Sequence, residues 1–267
     1  MFSYLKFIFY FCFIFIISIE KVKADISLNE AVLNEYRSKK NVERDKYRNP
    51  YETLNFFGIN REMMVLEMIP GRGWYTEIIS NYMKNTNNYY IAKYDPPQFA
   101  VEIITKIQKE FDEYFLKNKN VFGNVKSVSI NESFEILSGK NKFDLVMTFR
   151  NTHNWLDSNN AEKIYRSIFN LMKKGGVLGV VQHRADESSE FNYKGGYVKE
   201  SFLIRLIENQ GFKLVKKSEI NSNPKDLKDY AKGVWTLPPT FRLGDKNKSK
   251  YSNIGESDRM TLKFVKP

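Results

Sequence analysis

From residue 65 onward, two rhythms of apolar and polar positions take turns along the chain. Short apolar runs rich in Val, Ile, Phe and Tyr read as strands at 65–69, 89–94, 125–130, 143–149, 177–182, 212–220 and 259–265. Between them, apolar residues recur at helical spacing over 74–83, 99–117, 161–172 and 198–209. In the 99–117 segment Val101, Ile104, Ile107, Phe111 and Phe115 fall on one side. Lys173-Lys174-Gly175-Gly176 and Gly211 read as helix stops. Strands separated by helices predict an α/β chain with a mostly parallel sheet covered on both faces.

Two segments depart from this alternation. Residues 28–45 place Leu28, Val32, Leu33 and Tyr36 on one side of a predicted surface helix, and Asn49 before Pro50 is expected to be extended. The Phe56-Phe57-Gly58-Ile59 cluster reads as packing against the sheet, with a lid as the alternative. Residues 221–258 show no period, yet hold Trp235, Leu237, Phe241 and Leu243. A connection this long is usually functional or disordered, and its apolar content predicts an ordered lid over the strand ends. The expected domain plan is a leader at 1–24 and a single domain at 25–267. That domain includes a helical extension at 25–60 and the lid-like insertion at 221–258.

Composition changes the picture at the N-terminus. Lys6 precedes an unbroken apolar run at 7–19, too short to span a bilayer comfortably, and Val22-Lys23-Ala24 precedes Asp25. This reads as a cleaved signal peptide, hence an exported and periplasmic protein that meets the membrane only transiently. The alternative is an uncleaved membrane anchor. Cys12, the sole cysteine, lies inside that run, so the remaining chain has no thiol for disulfides, catalysis or zinc. The formal net charge is +11, of which +9 belongs to residues 25–267. The lysines are scattered, which predicts a solvated basic surface and no nucleic-acid partner. No spacing suggests a metal site, and the oligomeric state is not encoded in any pattern.

The densest chemistry lies at 65–76. Glu67 sits in the first predicted strand, and Pro70-Gly71-Arg72-Gly73 turns the chain into a helix. Glycine allows a ligand close to bare backbone, and a helix start offers free N–H groups. The lack of a third glycine argues against a dinucleotide site. Asp95 ends the second strand, where a carboxylate can accept two hydroxyls. The fourth strand is followed by Arg150-Asn151-Thr152-His153-Asn154-Trp155. His183, the only other histidine, follows the fifth, so both histidines are expected on one rim.

The Glu67-x-x-Pro70-Gly71-x-Gly73 pattern resembles motif I of the class I S-adenosylmethionine-dependent methyltransferases, although Ile69 stands where that loop often has glycine. Residues 48–267 more particularly resemble the exported "predicted methyltransferase" family. That resemblance rests on the 56–59 cluster, Pro70 to Glu77, Thr148 to Trp155 and Ile254 to Met260. It implies a Rossmann-like methyltransferase fold with a seven-stranded sheet whose last strand inserts antiparallel after the long insertion. It implies S-adenosylmethionine held by Glu67, Pro70, Gly71, Gly73, Tyr75, Thr76 and Asp95. A small-molecule acceptor would lie near Asn151, His153 and Asn154, with His153 the first candidate base and His183 the second. The rival reading is a non-catalytic exported binding protein on the same frame, holding a nucleoside or a small anion near Arg150 and Arg184.

Overall fold

The computed structural model describes residues 25–95 and 102–267; the segment 1–24, expected to be a leader, and Val101 lie outside the described residues. Among the described residues ten strands form: β1 (Val65–Met68), β2 (Tyr89–Tyr94), β3 (Lys126–Ile130), β4 (Ile136–Leu137), β5 (Phe143–Phe149), β6 (Met172–His183), β7 (Tyr193–Lys194), β8 (Tyr197–Val198), β9 (Lys213–Ser218) and β10 (Arg259–Val265). Eight of them make one sheet in the order β4-β3-β2-β1-β5-β6-β10-β9. The pairs from β3 through β6 are parallel, and β10 runs antiparallel between β6 and β9. The expected sheet had seven strands. The eighth is the two-residue β4, which doubles back on β3 and forms that edge of the sheet.

Alternation along the central strands separates two apolar layers. Leu66 and Val146 face a layer built with Ile164, Tyr165 and Ile168 of the Ala161–Leu171 helix and Leu203 of the Glu200–Glu208 helix. Their neighbours Val65 and Leu145 face the other layer, with Ile78 and Ile79 of the Thr76–Tyr82 helix and Phe111 and Phe115 of the Glu102–Lys117 helix. A strand puts successive side chains on opposite faces, so continuous apolar runs are what a doubly covered sheet requires.

The N-terminal extension corrects the expected 28–45 helix. It breaks into Leu28–Val32, Lys39–Val42 and Asp45–Arg48. Leu33 and Tyr36 point outward, while Arg37 is buried and donates to the Val32 carbonyl and the Asp45 carboxylate. An ion pair has thus taken the inward position that periodicity assigned to apolar side chains. Asn49 is also not extended: it adopts φ 39° and ψ 61°, and its amide donates to the Ile220 carbonyl. Asn tolerates this left-handed conformation, which ends one helix as Pro50 starts Pro50–Phe57.

Phe57 of that last helix is fully buried and lies over β6, consistent with the packing reading of the 56–59 cluster. A Cβ on Gly179 would come 2.6 Å from the Phe57 ring. Gly179→Ala is therefore expected to cost about 1–3 kcal/mol through overpacking, read as a lower urea midpoint with unchanged slope. A midpoint equal to that of the parent chain would mean that Phe57 is free to move away.

Candidate functional site

A cleft of about 700 Å³ opens beyond the carboxyl ends of β1 and β5. Such a volume lies within the roughly 300–1,000 Å³ of small-molecule sites, and the position is where open parallel sheets bind ligands. One wall is the turn after β1, with Ile69, Pro70, Gly71 and Arg72, backed by Trp74 and Glu77 and faced by Phe111. The opposite wall is Arg150, Asn151 and His153 after β5, His183 at the end of β6, and Glu256 and Ser257 before β10. Val234, Trp235 and Pro238 to Thr240 of the 221–258 segment, and Asn41, Arg44 and Arg48 of the extension, also line the cleft.

Both central strands leave the sheet through a strained residue. Ile69 has φ 42° and Arg150 has φ 63°, each a non-glycine side chain in the left-handed region. For a β-branched residue this is a genuine outlier, and such strain concentrates at functional sites. Ile69 lines the cleft without closing it.

The residues predicted for a cofactor divide into two groups. Pro70 and Gly71 border the cleft, and a Cβ on Gly71 would meet nothing within 4 Å. The others face elsewhere. Gly73 is pressed against Phe115, and Tyr75 stacks on Phe149 with centroids 3.6 Å apart. Glu67 is buried and accepts hydrogen bonds from the Thr76 and Tyr89 hydroxyls, so Glu67 and Thr76 are bonded to each other rather than to the cleft. Asp95 is exposed beside Ser129, whose hydroxyl donates to it, and it does not line the cleft. Asn154 is exposed and also outside it. Glu77 replaces Glu67 as the carboxylate on the turn side. It is buried, lines the cleft and accepts from the Tyr114 hydroxyl.

The acceptor wall keeps more of its expected members. The rings of His153 and His183 lie 5.4 Å apart, centroid to centroid, and both line the cleft. Asn151 is held by donating to the Met68 carbonyl and the Thr148 hydroxyl. Burial pulls the His153 pKa down to about 4, and burial with nearby His153 and arginine charge drives His183 well down, so both are neutral near pH 7. Gln182 Nε2 donates to the Gly196 carbonyl and sits 3.2 Å from His153 Nδ1. A carbonyl can only accept, which fixes the nitrogen end of the amide there. His153 Nδ1 must therefore be the acceptor, and the proton sits on Nε2. In that tautomer the remaining ring nitrogen of His153 is a donor, an arrangement that suits orienting a ligand more than the base role expected for it. His183 Nδ1 bonds the Ser257 hydroxyl, which can serve in either direction. Among the described residues, no cluster of three or more His, Cys, Asp or Glu side chains could hold a metal.

An arginine cluster went unnoticed in the sequence. Glu256 is bonded by Arg44 at 2.6 Å and Arg48 at 3.0 Å, and paired with Arg259 at 3.2 Å. These cations hold its carboxyl well below the usual range despite its burial. Arg150 shares the field; burial, opposed by Glu256 and aided by Arg259 and Arg44, brings it down to about 10. Arg44 and Arg48 stand four apart, a spacing that marks one helix face, but nothing local brings that face to Glu256, 208 positions along the chain from Arg48. Arg184 is elsewhere, engaged by Glu219 and Asp258.

No family model and no curated protein matches the chain. Solved structures do. A SAM dependent methyltransferase from Aquifex aeolicus aligns with a TM-score of 0.56 at 14% identity, covering 91% of this chain and 100% of that one. The [4+2]-cyclase SpnF gives 0.59 at 13%, covering 90% and 91%. The glycopeptide N-methyltransferase MtfA complexed with sinefungin gives 0.53 at 13%, covering 82% and 93%. At such identities the likeness is one of fold: the chain has the architecture of the SAM-dependent methyltransferases.

Two outcomes follow from the buried acids. Glu256→Gln leaves Arg44, Arg48 and Arg259 without their counter-charge and is expected to cost about 3–5 kcal/mol in urea unfolding; a loss under 1 kcal/mol would mean water already neutralises the cluster. Burial pushes the Glu67 carboxyl from 4.5 up to about 7. Folding then favours its neutral form, a contribution complete below pH 4.5 and lost as pH rises through about 7. Glu67→Gln should remove that decline, on the order of 3 kcal/mol at most, so that melting curves from about pH 5 to about pH 8 diverge from the parent. Parallel curves would place the titration elsewhere.

Proposed function

We propose that the protein is an S-adenosylmethionine-dependent methyltransferase acting on a small-molecule acceptor. The observation that supports this most is the cleft at the carboxyl ends of β1 and β5, on a methyltransferase architecture, with a glycine turn on one wall and polar residues on the other. Segments behind the finer resemblance to the exported "predicted methyltransferase" family meet there: Pro70, Gly71, Arg72, Trp74 and Glu77 from one, Phe149 to Asn151 and His153 from another, Glu256 and Ser257 from a third.

The cleft has the size for cofactor and acceptor together, and the turn at Pro70 and Gly71 gives close access to backbone. When bound, S-adenosylmethionine supplies an electrophilic methyl group: the acceptor–carbon bond forms as the carbon–sulfur bond breaks, and sulfur keeps the electron pair as a neutral thioether. The chain's task is then alignment, worth up to ~7–11 kcal/mol. Asn151, fixed to β1 and β5 by its two donated bonds, stiffens the floor between the two walls. His153, with Nε2–H, orients an acceptor by donation. If the acceptor carries a proton at its reacting atom, His183 is the neutral imidazole placed to receive it.

A second reading has support of its own. Glu67, Thr76 and Asp95 turn away from the cleft, and one structure of this fold is a cyclase by name. The frame would then hold another nucleoside without transfer. Isothermal titration with sinefungin separates the two. The transferase reading expects micromolar binding, weakened at least tenfold by Gly71→Val, which puts a side chain into the turn at φ 60°. No heat at millimolar sinefungin would overturn it.

A further inference from the structure

We propose that the acceptor wall of the cleft is an oxyanion site, and that the acceptor carries a carboxylate or phosphate group seated between Arg48 and Arg150. The assignment of that ligand as an acceptor rests on the methyltransferase reading; the oxyanion site itself does not.

The argument begins with a charge imbalance inside the protein. Arg44, Arg48 and Arg259 pair with Glu256, and Arg150 adds its charge to the same field without a pairing of its own. Arg48 is 1% exposed, and only its Nε reaches Glu256. Its two terminal nitrogens, Nη1 and Nη2, have no acceptor in the protein. Part of its charge is met by the face of Trp74, 4.7 Å away, which offers no lone pair to those N–H groups. Buried guanidinium groups ordinarily have their fork filled, because an unpaired buried charge costs several kcal/mol. Arg48 lines the cleft, and an oxyanion entering beside it, with a small shift of the wall that now covers Nη1 and Nη2, would fill that fork with two parallel hydrogen bonds.

Neighbouring groups point to the same chemistry. Arg150 lines the cleft from the strained end of β5, and Glu256 is the only carboxylate that acts on it appreciably. His153 adds an Nε2–H donor on the same wall, since its Nδ1 is occupied by Gln182. The carboxylates on the turn side are already engaged: Glu77 by Tyr114, and Glu110 by Arg72. The excess positive charge therefore lies with the arginines around Glu256. An anion there neutralises the arginines and leaves the rest of a small molecule directed toward the turn.

The test uses the full chain and three measurements. Melting temperature is followed against inorganic phosphate and against acetate, each compared with chloride at matched ionic strength, with and without sinefungin. The expected result is saturable stabilisation by one of the two oxyanions, the phosphate and acetate arms distinguishing the headgroup, with apparent affinity weakened at least tenfold in Arg48→Met. Because Arg48 also pairs with Glu256, Arg150→Met serves as a second variant that removes no ion pair from the fold. Stabilisation no greater than chloride gives, or undiminished in Arg150→Met, overturns the oxyanion site. Sinefungin binding without oxyanion binding would refute this inference alone. Oxyanion binding without sinefungin binding would leave the site standing and remove its role in methyl transfer.

Discussion

At the edge of the cleft the chain gathers more guanidinium than carboxylate. Arg44, Arg48 and Arg259 converge on Glu256, and Arg150 lies within the same field. Such a cluster cannot be formed by any single element. It needs the N-terminal extension, the loop after β5 and the residues before β10 to be held together at once. Its stability depends on the three pairings Glu256 makes, because each arginine left alone would repel its neighbours in a medium that screens poorly. The packing that fixes those elements is thus also what keeps the cleft charged.

The two strained exits give the site its shape. Ile69 and Arg150 end adjacent parallel strands in left-handed conformations. One turn sends the chain into the glycine loop, the other aims an arginine into the space between. Asn151 donates to the Met68 carbonyl on β1 and to Thr148 on β5, so the two exits are tied to each other. A fixed gap between rigid strand ends is what alignment of two reactants requires. The fold supplies that gap but not the reaction, since the same architecture serves both methyltransferases and a [4+2]-cyclase by name.

The 221–258 segment shows how an element without a period becomes ordered. Gly233 packs so closely on Gly195 that a Cβ would lie 2.0 Å from its carbonyl oxygen, and Val234 N–H donates to that same carbonyl. The Asn223 amide donates to the Ile254 and Glu256 carbonyls, while the Tyr197 hydroxyl donates to the Asp226 carboxylate. These bonds bring Trp235 to within 5.7 Å of the His153 ring, centroid to centroid. Side-chain to backbone bonds of this kind replace the ladder of a regular element.

The sequence by itself determined the sheet and its helices. Apolar runs with β-branched residues have no other way to bury both faces, and each of the seven expected strands recurs within a few residues; the two-residue β4, β7 and β8 were too short to carry a pattern. It also marked the glycine turn and the histidine rim, because glycine, proline and a scarce residue type stand out locally. Tertiary structure alone decided which polar side chains face the cleft. Glu67 is a strand residue whose nearest partners, Thr76 and Tyr89, are set by the packing of the first helix and by β2, so its carboxylate turned inward. The extension broke into short helices because Arg37 found Asp45 and the Val32 carbonyl, contacts that periodicity does not encode. Arg48 and Glu256 lie too far apart in the chain for any local rule to join them, and a charge becomes a site only when the fold removes its water.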